Sequence, residues 1–464
     1  MSFSNLGLQP ALLESLSSLG YETMTPIQAQ SLPYILAGQD VIGQGKTGSG
    51  KTAAFGLGLL NRLDPERFEV QALVLCPTRE LADQVAREIR RLARATANVK
   101  VLTLCGGTPI GPQIGSLAHG AHIIVGTPGR IEDHLRKGTL NLNRLETLVL
   151  DEADRMFDMG FQSALEAIFG CVPGKRQNLL FSATFPEEIQ KVAERLMHKP
   201  VRVQVAESHD DSSIRQHFIR LQDESQRMNA LCALLLKLRP ESSVVFCNTR
   251  RETQEVADEL GREGFDALAL HGDLEQKERD QTLVRFANKS ASILVATDVA
   301  ARGLDIESLD AVFNYHIARD SDVHTHRIGR TGRAGEQGSA YTLYTEKESH
   351  KAVRLEAELD LSIEPEPVPE RVDERAYKAP MVTLQIDGGR KQKVRPGDVL
   401  GALTGEKGIA GKQVGRINIF DQWAYVAVAR DAKKAALQKL RDGKLKGRSF
   451  RVREISNRGA NPRQ

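Results

Sequence analysis

The sequence predicts an α/β chain: two parallel-sheet domains followed by a small α+β domain. Three observations lead there. Helical and apolar strand segments alternate from about residue 30 to about 200 and again from about 215 to about 345, the signature of parallel α/β domains. The length, 464 residues, suits two or three domains. The charge is also uneven. The whole chain carries a net +3, but residues 376–464 hold 20 Lys+Arg against 7 Asp+Glu, a balance of +13 that leaves −10 for residues 1–375. An acidic body with a basic C-terminal piece suggests a separate nucleic-acid-binding module.

Composition places the boundaries. A first domain spans 1–206 and a second 214–360, with a polar linker of Glu, Ser, His and Asp from 207 to 213. The Pro- and Glu-spaced stretch 361–378 reads as an extended, semi-stiff tether. A third domain spans 379–455, and 456–464 is a polar tail expected to be disordered. Met1-Ser2-Phe3-Ser4-Asn5 lacks the charged and apolar regions of a signal peptide, and no apolar run approaches membrane-spanning length. Cys76, Cys105, Cys171, Cys232 and Cys247 form no C-x-x-C pair and read as reduced core thiols of a cytoplasmic protein, not metal ligands.

In the first domain, the apolar segment around Asp40-Val41-Ile42 runs into Gly45-Lys46-Thr47-Gly48-Ser49-Gly50-Lys51-Thr52 and then Ala53-Ala54-Phe55. Strand, glycine-rich loop and helix in that order fit G-x-x-x-x-G-K-T, the phosphate-cradling P-loop. Glycines let backbone N–H groups converge on an anion at a helix N-terminus, where the helix dipole adds to the attraction. Lys51 is placed to reach the β- and γ-phosphates of ATP, and the Thr52 hydroxyl to bind Mg²⁺. About a hundred residues later, Thr147-Leu148-Val149-Leu150 reads as a buried parallel strand ending at Asp151. Ligands of such sheets sit at the carboxyl ends of strands, so Asp151 suits Mg²⁺ held through water. Glu152 is the candidate base for the attacking water. Acidic residues are also common at helix starts for dipole reasons, and it is the P-loop that favours the catalytic reading here.

The third domain has a pattern of its own. Met381 to Ile386 alternates as a strand, Pro396 to Leu403 opens as a helix, and Val414–Ile419 and Trp423–Val428 read as strands. Ala432–Leu440 is helical and Ser449–Ile455 alternates again. The order βαββαβ is that of an RNA recognition motif. Trp423 and Tyr425, two apart, point to one sheet face, where they either stack on bases or serve as ordinary sheet residues. Basic residues, Lys444, Lys446 and Arg448 among them, offer phosphate contacts.

Asp151-Glu152-Ala153-Asp154 spells the D-E-A-D box, and the chain resembles the DEAD-box RNA helicases. Gly20-Tyr21-Glu22-Thr23-Met24-Thr25-Pro26-Ile27-Gln28 is similar to their Q motif. That resemblance implies nucleotide contacts for Tyr21 and Gln28, with the glutamine reading adenine. Pro77-Thr78-Arg79-Glu80-Leu81-Ala82, Gly106-Gly107 and Thr127-Pro128-Gly129-Arg130 match the RNA-backbone motifs, implying RNA contact by Arg79, Gly107, Thr127 and Arg130. Ser182-Ala183-Thr184 matches the motif that couples hydrolysis to strand separation, through Ser182 and Thr184. In the second domain, Val245-Phe246-Cys247-Asn248-Thr249 and Gln276-Lys277-Glu278-Arg279 match further RNA motifs, and the stretch from Ala296 to Asp305 matches another motif of the family. They imply RNA contact by Thr249, Gln276, Arg279 and Thr297. His326-Arg327-Ile328-Gly329-Arg330-Thr331-Gly332-Arg333 completes the set. The only departure is Gly45, where the family usually has Ala.

The resemblance implies two RecA-like domains followed by an RNA-recognition-motif-like domain, with ATP and RNA closing the cleft between the first two. By the same analogy Arg302 and His326 help place the water, Asp305 touches the ribose, and Arg330 and Arg333 act as arginine fingers. Across nearly the whole chain the sequence looks like the bacterial DbpA-type subgroup. This implies targeting to a 23S ribosomal RNA hairpin of the peptidyl-transferase region, in large-subunit assembly; the sequence leaves the oligomeric state open, with a monomer favoured. An ATP-gated RNA clamp that hardly unwinds shares every motif. A processive DNA translocase is disfavoured by the D-E-A-D box, the Q motif and the C-terminal domain.

Overall fold

In the computed structural model, which describes residues 2–45, 48–205, 214–301, 309–332, 337–371, 374–406 and 408–455, the chain forms two units, one of residues up to the 207–213 region and one from there onward. The first holds a seven-stranded parallel sheet: β1 Val41–Gln44, β2 Ala72–Leu75, β3 Val101–Leu104, β4 Ile123–Gly126, β5 Thr147–Asp151, β6 Gln177–Ser182 and β7 Val201–Gln204, in the order β3-β4-β2-β5-β6-β1-β7. The strands are short apolar runs because helices cover both faces. Val41, Val74, Val149 and Leu179 pack into one core with Phe55 and Phe181, while Ile42, Leu73, Leu148 and Leu180 pack into the core on the other side. Gly43 permits this: a Cβ there would lie 2.5 Å from the Phe181 ring. Each fully buried side chain of this size contributes about 1.5–3 kcal/mol.

The second unit repeats the plan. β8 Ile214–Leu221, β9 Ser243–Cys247, β10 Ala267–Leu270, β11 Ile293–Thr297, β12 Ala311–Asn314, β13 Gly338–Thr345 and β14 Pro365–Glu366 form a sheet in the order β10-β11-β9-β12-β13-β8-β14. This is the order of the first sheet, advanced by seven strands. Beyond it lies a four-stranded antiparallel sheet of β15 Met381–Ile386, β16 Val414–Ile419, β17 Ala424–Ala429 and β18 Val452–Glu454, in the order β16-β17-β15-β18. With helices Pro396–Thr404 and Lys433–Asp442 between strands, this is the expected βαββαβ domain.

The stretch from 361 to 378 does not hang free. Pro365–Glu366 adds an edge strand to β8, His217 Nδ1 lies 2.7 Å from Glu366 Oε1, and Val368, Ala376 and Tyr377 pack on the second core. Tyr377 sits edge-on to Phe265, with the Arg239 guanidinium over its ring. Four of the cysteines are buried thiols and Cys171 is exposed. Among the described residues, no helix is long and apolar enough to cross a membrane.

Candidate nucleotide and RNA site

β1 feeds the P-loop and the helix Lys51–Arg62 follows it. Gly50 has φ 94°, and a Cβ there would sit 2.5 Å from Gln28 Nε2, so glycine is required on both counts. Lys51 is buried and its Nζ donates to Gly45 O at 2.5 Å. Thr52 is half-buried at the start of the helix. Lys46 and Thr47 lie outside the described residues. Gln28 is 2 % exposed and engaged at both ends: Nε2 donates to Gly50 O at 3.1 Å, and Oε1 accepts from Thr25 N at 3.0 Å. In this state the glutamine braces the P-loop backbone, with one N–H and its oxygen engaged by the protein. Tyr21 anchors to the helix Arg79–Leu92 by donating its hydroxyl to Glu88 at 2.7 Å. Burial first, then that bond, pushes its phenol up to about 12.

β5, β6 and β1 are neighbours, so their carboxyl ends bring the remaining ATP motifs beside the P-loop; Gly45 N donates to Ser182 O at 3.1 Å. Asp151 is 3 % exposed, and burial pushes its carboxyl up to about 7 despite the Lys51 cation nearby. Glu152, 5 % exposed, adopts φ 51° and ψ 52°. Asp154 joins the box to the coupling motif. Its Oδ2 accepts from Thr184 N and Thr184 Oγ1, both at 3.0 Å, while Ser182 Oγ accepts from Asp154 N at 3.2 Å. Burial opposes the Asp154 charge, but the Thr184 bonds, the Arg155 cation and the Ser182 hydroxyl together outweigh it and hold its carboxyl below the usual range. The D-E-A-D box and Ser182-Ala183-Thr184 are therefore one hydrogen-bonded piece.

The other half of the same sheet edge carries the remaining motifs of the first domain. β3, β4 and β2, also neighbours, end at Gly107, at Thr127 with Arg130, and at Arg79. Gly107 has φ 75°. Arg130 Nη2 donates to Thr108 O at 2.9 Å, tying two motifs together. Arg79 leans on Asp83 at 3.6 Å. Arg79 Nη1 and Arg130 Nη1 are both buried without a hydrogen-bond partner. Two orphaned guanidinium donors on one sheet edge fit an anionic ligand.

The second sheet repeats the division. β10, β11 and β9 lead to the Gln276 helix, to Thr297 and to Thr249. Arg279 Nη2 donates to Ala300 O at 3.0 Å, and Thr297 Oγ1 accepts from Ala300 N at 3.3 Å. Gln276 Nε2 donates to Asp280 Oδ1 at 2.8 Å. Thr249 is exposed and caps the helix Arg250–Arg262. His326 is half-buried at the end of the helix Ser321–Ile328, and Arg330 just beyond is buried. Arg302, Asp305 and Arg333 lie outside the described residues.

In the C-terminal domain, Val382, Leu384, Ile386, Val426 and Val428 face the helices. The opposite face carries Thr383, Gln385, Tyr425 and Ala427, every one buried, because the second α/β domain covers it. Ser290 Oγ lies 2.7 Å from Thr383 Oγ1, Gln281 Nε2 donates to Gln385 Oε1 at 3.3 Å, and Met381 N donates to Lys289 O at 3.2 Å. Asp266 Oδ2 accepts from Ala379 N at 2.9 Å and from Arg430 Nη2 at 2.7 Å. Lys277 Nζ sits 5.4 Å from the centre of the Trp423 ring. Tyr425 is fully buried and burial pushes its hydroxyl up to about 12. In this state Tyr425 serves the interface, not base stacking. Lys444, Lys446 and Arg448 stay exposed around a tight turn, with Lys446 Nζ donating to Lys393 O at 3.0 Å.

Known proteins share this arrangement. A family profile described as DEAD/DEAH box helicase matches residues 25–192, one described as Helicase conserved C-terminal domain matches 226–335, and one described as DbpA RNA binding domain matches 383–454. The chain is 52 % identical over 453 residues to the ATP-dependent RNA helicase DbpA of Escherichia coli (strain K12), covering 97 % of this chain and 99 % of that one. The chain belongs to the DEAD-box ATP-dependent RNA helicases, in their DbpA-type branch. The DEAD-box ATP-dependent RNA helicase CshA of Bacillus cereus is 46 % identical over 356 residues, 76 % of this helicase and 67 % of that protein. A solved structure of S. cerevisiae Dbp5 bound to RNA and ADP BeF3 is similar with TM-score 0.72 and 30 % identity, covering 79 % of this helicase and 96 % of that chain.

Two arginines of the helicase escaped the sequence reading. Arg155 Nη1 lies 3.1 Å from Glu152 Oε2. Arg327, 2 % exposed, is a hub: Nε and Nη2 donate to Asp298 at 2.6 and 2.8 Å, Nη2 to Asn248 Oδ1 at 3.2 Å and Nη1 to His316 O at 2.9 Å. It ties the helix that carries His326 to the motifs of Asp298 and Asn248. The signal for both was positional: Arg327 falls inside the His326 to Arg333 motif and Arg155 directly follows the D-E-A-D box, yet neither had a ligand assigned to it.

Proposed function

We propose that this RNA helicase hydrolyses ATP at the β5–β6–β1 end of its first sheet to separate RNA strands locally. We further propose that its C-terminal domain anchors it to a 23S ribosomal RNA hairpin of the peptidyl-transferase region during large-subunit assembly. The observation that carries the reading is the split sheet edge: ATP motifs on three adjacent strands, and buried, unpartnered Arg79 and Arg130 donors on the next three. The Dbp5 relative, bound to RNA and ADP BeF3, supports ligands of both kinds. The similarity to DbpA and the exposed basic turn at Lys444, Lys446 and Arg448 support the target.

In this reading Lys51 and the P-loop amides, Gly45 to Gly50 with Lys46 and Thr47, bind the triphosphate, and Tyr21, Gln28 and Asp305 complete nucleotide binding. The buried carboxyl of Asp151 at the end of β5 and the half-buried hydroxyl of Thr52 at the start of the helix after the P-loop fit Mg²⁺, a hard cation that keeps several waters. When bound, Mg²⁺ supplies charge neutralisation at the β- and γ-phosphate oxygens. Glu152 takes a proton from water as the water oxygen bonds to the γ-phosphorus. The bond from that phosphorus to the bridging oxygen breaks, and ADP and phosphate leave. Arg302 and His326 help place the water, and Arg330 and Arg333 counter the charge that develops on the phosphoryl group. Arg79, Gly107, Thr127, Arg130, Thr249, Gln276, Arg279 and Thr297 hold RNA backbone, and Ser182 and Thr184 pass the nucleotide state to it through Asp154.

The test is displacement of a short labelled strand from a duplex adjoining the hairpin, with ATP. ATP-dependent release, lost in Glu152→Gln, is the expected result. Hydrolysis without release leaves an ATP-gated clamp and removes the unwinding part of the proposal.

A further inference from the structure

We infer that Arg155 is a positioning residue for hydrolysis, acting through Glu152 by holding one oxygen of its carboxylate. This rests on the reading of Glu152 as the base. Glu152 follows the last residue of β5 and caps the helix Ala153–Asp158 in the left-handed region, φ 51° and ψ 52°, with no side-chain hydrogen bond to the helix. Left-handed backbone disfavours any residue with a Cβ by about 1–2 kcal/mol, so the surroundings must enforce it. They do so from both sides. Glu152 N donates to Asp151 Oδ1 at 3.0 Å, and one helical turn later Arg155 Nη1 stands 3.1 Å from Glu152 Oε2, an ion pair of two buried charges without the alignment of a hydrogen bond. Arg155 is fixed in turn, its N donating to Asp154 Oδ1 at 3.0 Å. The two paired side chains are 5 % and 6 % exposed, so each charge is compensated where water cannot compensate it.

The geometry gives Arg155 a task that a surface arginine at this helix position would not have. A glutamate side chain has three torsions, and a base serves only in the rotamer that meets the water. Arg155 itself touches neither substrate nor proton in this scheme.

The test is steady-state RNA-stimulated ATPase of the full chain carrying Arg155→Met, Arg155→Lys, Glu152→Gln or the pair Arg155→Met with Glu152→Gln. Arg155→Met should lower kcat by about ten- to a hundredfold, part of the roughly 10²–10⁴-fold that a general base contributes, and move the KM for ATP by less than about threefold. Arg155→Lys, which keeps the charge, should recover most of the loss. In single-turnover assays the double variant should be no slower than Glu152→Gln alone, because Arg155 has nothing left to position. Full kcat in Arg155→Met overturns the inference. So does an equal further loss in the Glu152→Gln background, which marks a role in folding alone. A Glu152→Gln enzyme that still turns over would instead remove the base assignment. If Arg155→Met fails to fold, Arg155→Gln, which keeps a polar side chain but loses the charge, carries the same comparison with and without Glu152→Gln.

Discussion

Replacing Asp266 should loosen the C-terminal domain from the second α/β domain, and the structure sets the size. Asp266 is 8 % exposed and accepts from the buried Ala379 N–H at 2.9 Å and from Arg430 at 2.7 Å. In Asp266→Ala the orphaned N–H costs about 1–3 kcal/mol. The Arg430 pair adds only about 0.5–1 kcal/mol, because that guanidinium is 39 % exposed. Lys378, half exposed and 3.6 Å away, adds next to nothing. The total is about 3 kcal/mol, a docking equilibrium weakened roughly a hundredfold. Asp266→Asn keeps an acceptor for Ala379 and should lose only about 1 kcal/mol. The chain has a single tryptophan, Trp423, and it lies under Lys277 at this interface. Its fluorescence during urea titration therefore reads the C-terminal domain selectively. The Trp423 midpoint should fall by about 1–3 M in Asp266→Ala and by clearly less in Asp266→Asn. Unchanged midpoints in both variants would refute the reasoning.

Lys51→Ala should weaken ATP binding itself by about tenfold or more, read by nucleotide titration, whereas Glu152→Gln should keep ATP and RNA binding and lose turnover. Gln28→Ala should raise the KM for ATP through the P-loop, because the lost contact to Gly50 O is to the loop backbone; equal KM values for ATP and GTP in the wild type would agree with a bracing role and contradict adenine reading. Arg227 is 1 % exposed and pairs with Glu348 at 2.9 Å and Glu224 at 2.7 Å, so Glu348→Gln should destabilise the second unit by about 2–3 kcal/mol in thermal unfolding. The same network has a pH window. Burial opposes the Glu348 charge, but His316 and Arg227 hold its carboxyl well below the ordinary 4.5, so that stability is present above 4.5 and lost as pH falls further. Burial also opposes the His316 charge, but Glu252 and Glu348 raise it above the ordinary 6.5; its contribution is present below 6.5 and lost as pH rises through the raised value. The Glu348→Gln loss should therefore be largest between about pH 5 and 6.5.

Much of this was legible in the sequence because it is local. The apolar run to Asp151, the glycines before Lys51 and the alternation of Met381 to Ile386 each fix a strand or a turn by themselves. Tyr425 shows where local pattern stops. Period-two spacing says that Trp423 and Tyr425 share a side of the strand, but not that Gln281, Asn288 and Ser290 of another domain lie against that sheet face. The same holds for 361–378, whose prolines and glutamates suit an extended chain yet seat it on β8 and the second core. Gln28 was placed by motif, and only the fold shows both ends of its amide committed to Thr25 and Gly50. Arg155 and Arg327 were overlooked because an arginine that serves a neighbouring carboxylate leaves no spacing signature of its own.

The most direct measurement is the ATPase rate of the full chain against the 23S ribosomal RNA hairpin, a scrambled hairpin and a loop variant, each at two salt concentrations. Binding through the basic turn at Lys444, Lys446 and Arg448 should weaken with salt for all three RNAs, since phosphate contacts release counterions. At the higher salt only the intact hairpin should still raise the rate to its maximum at low RNA concentration. Equal half-saturation by all three RNAs there would contradict targeting and leave a general RNA-stimulated ATPase.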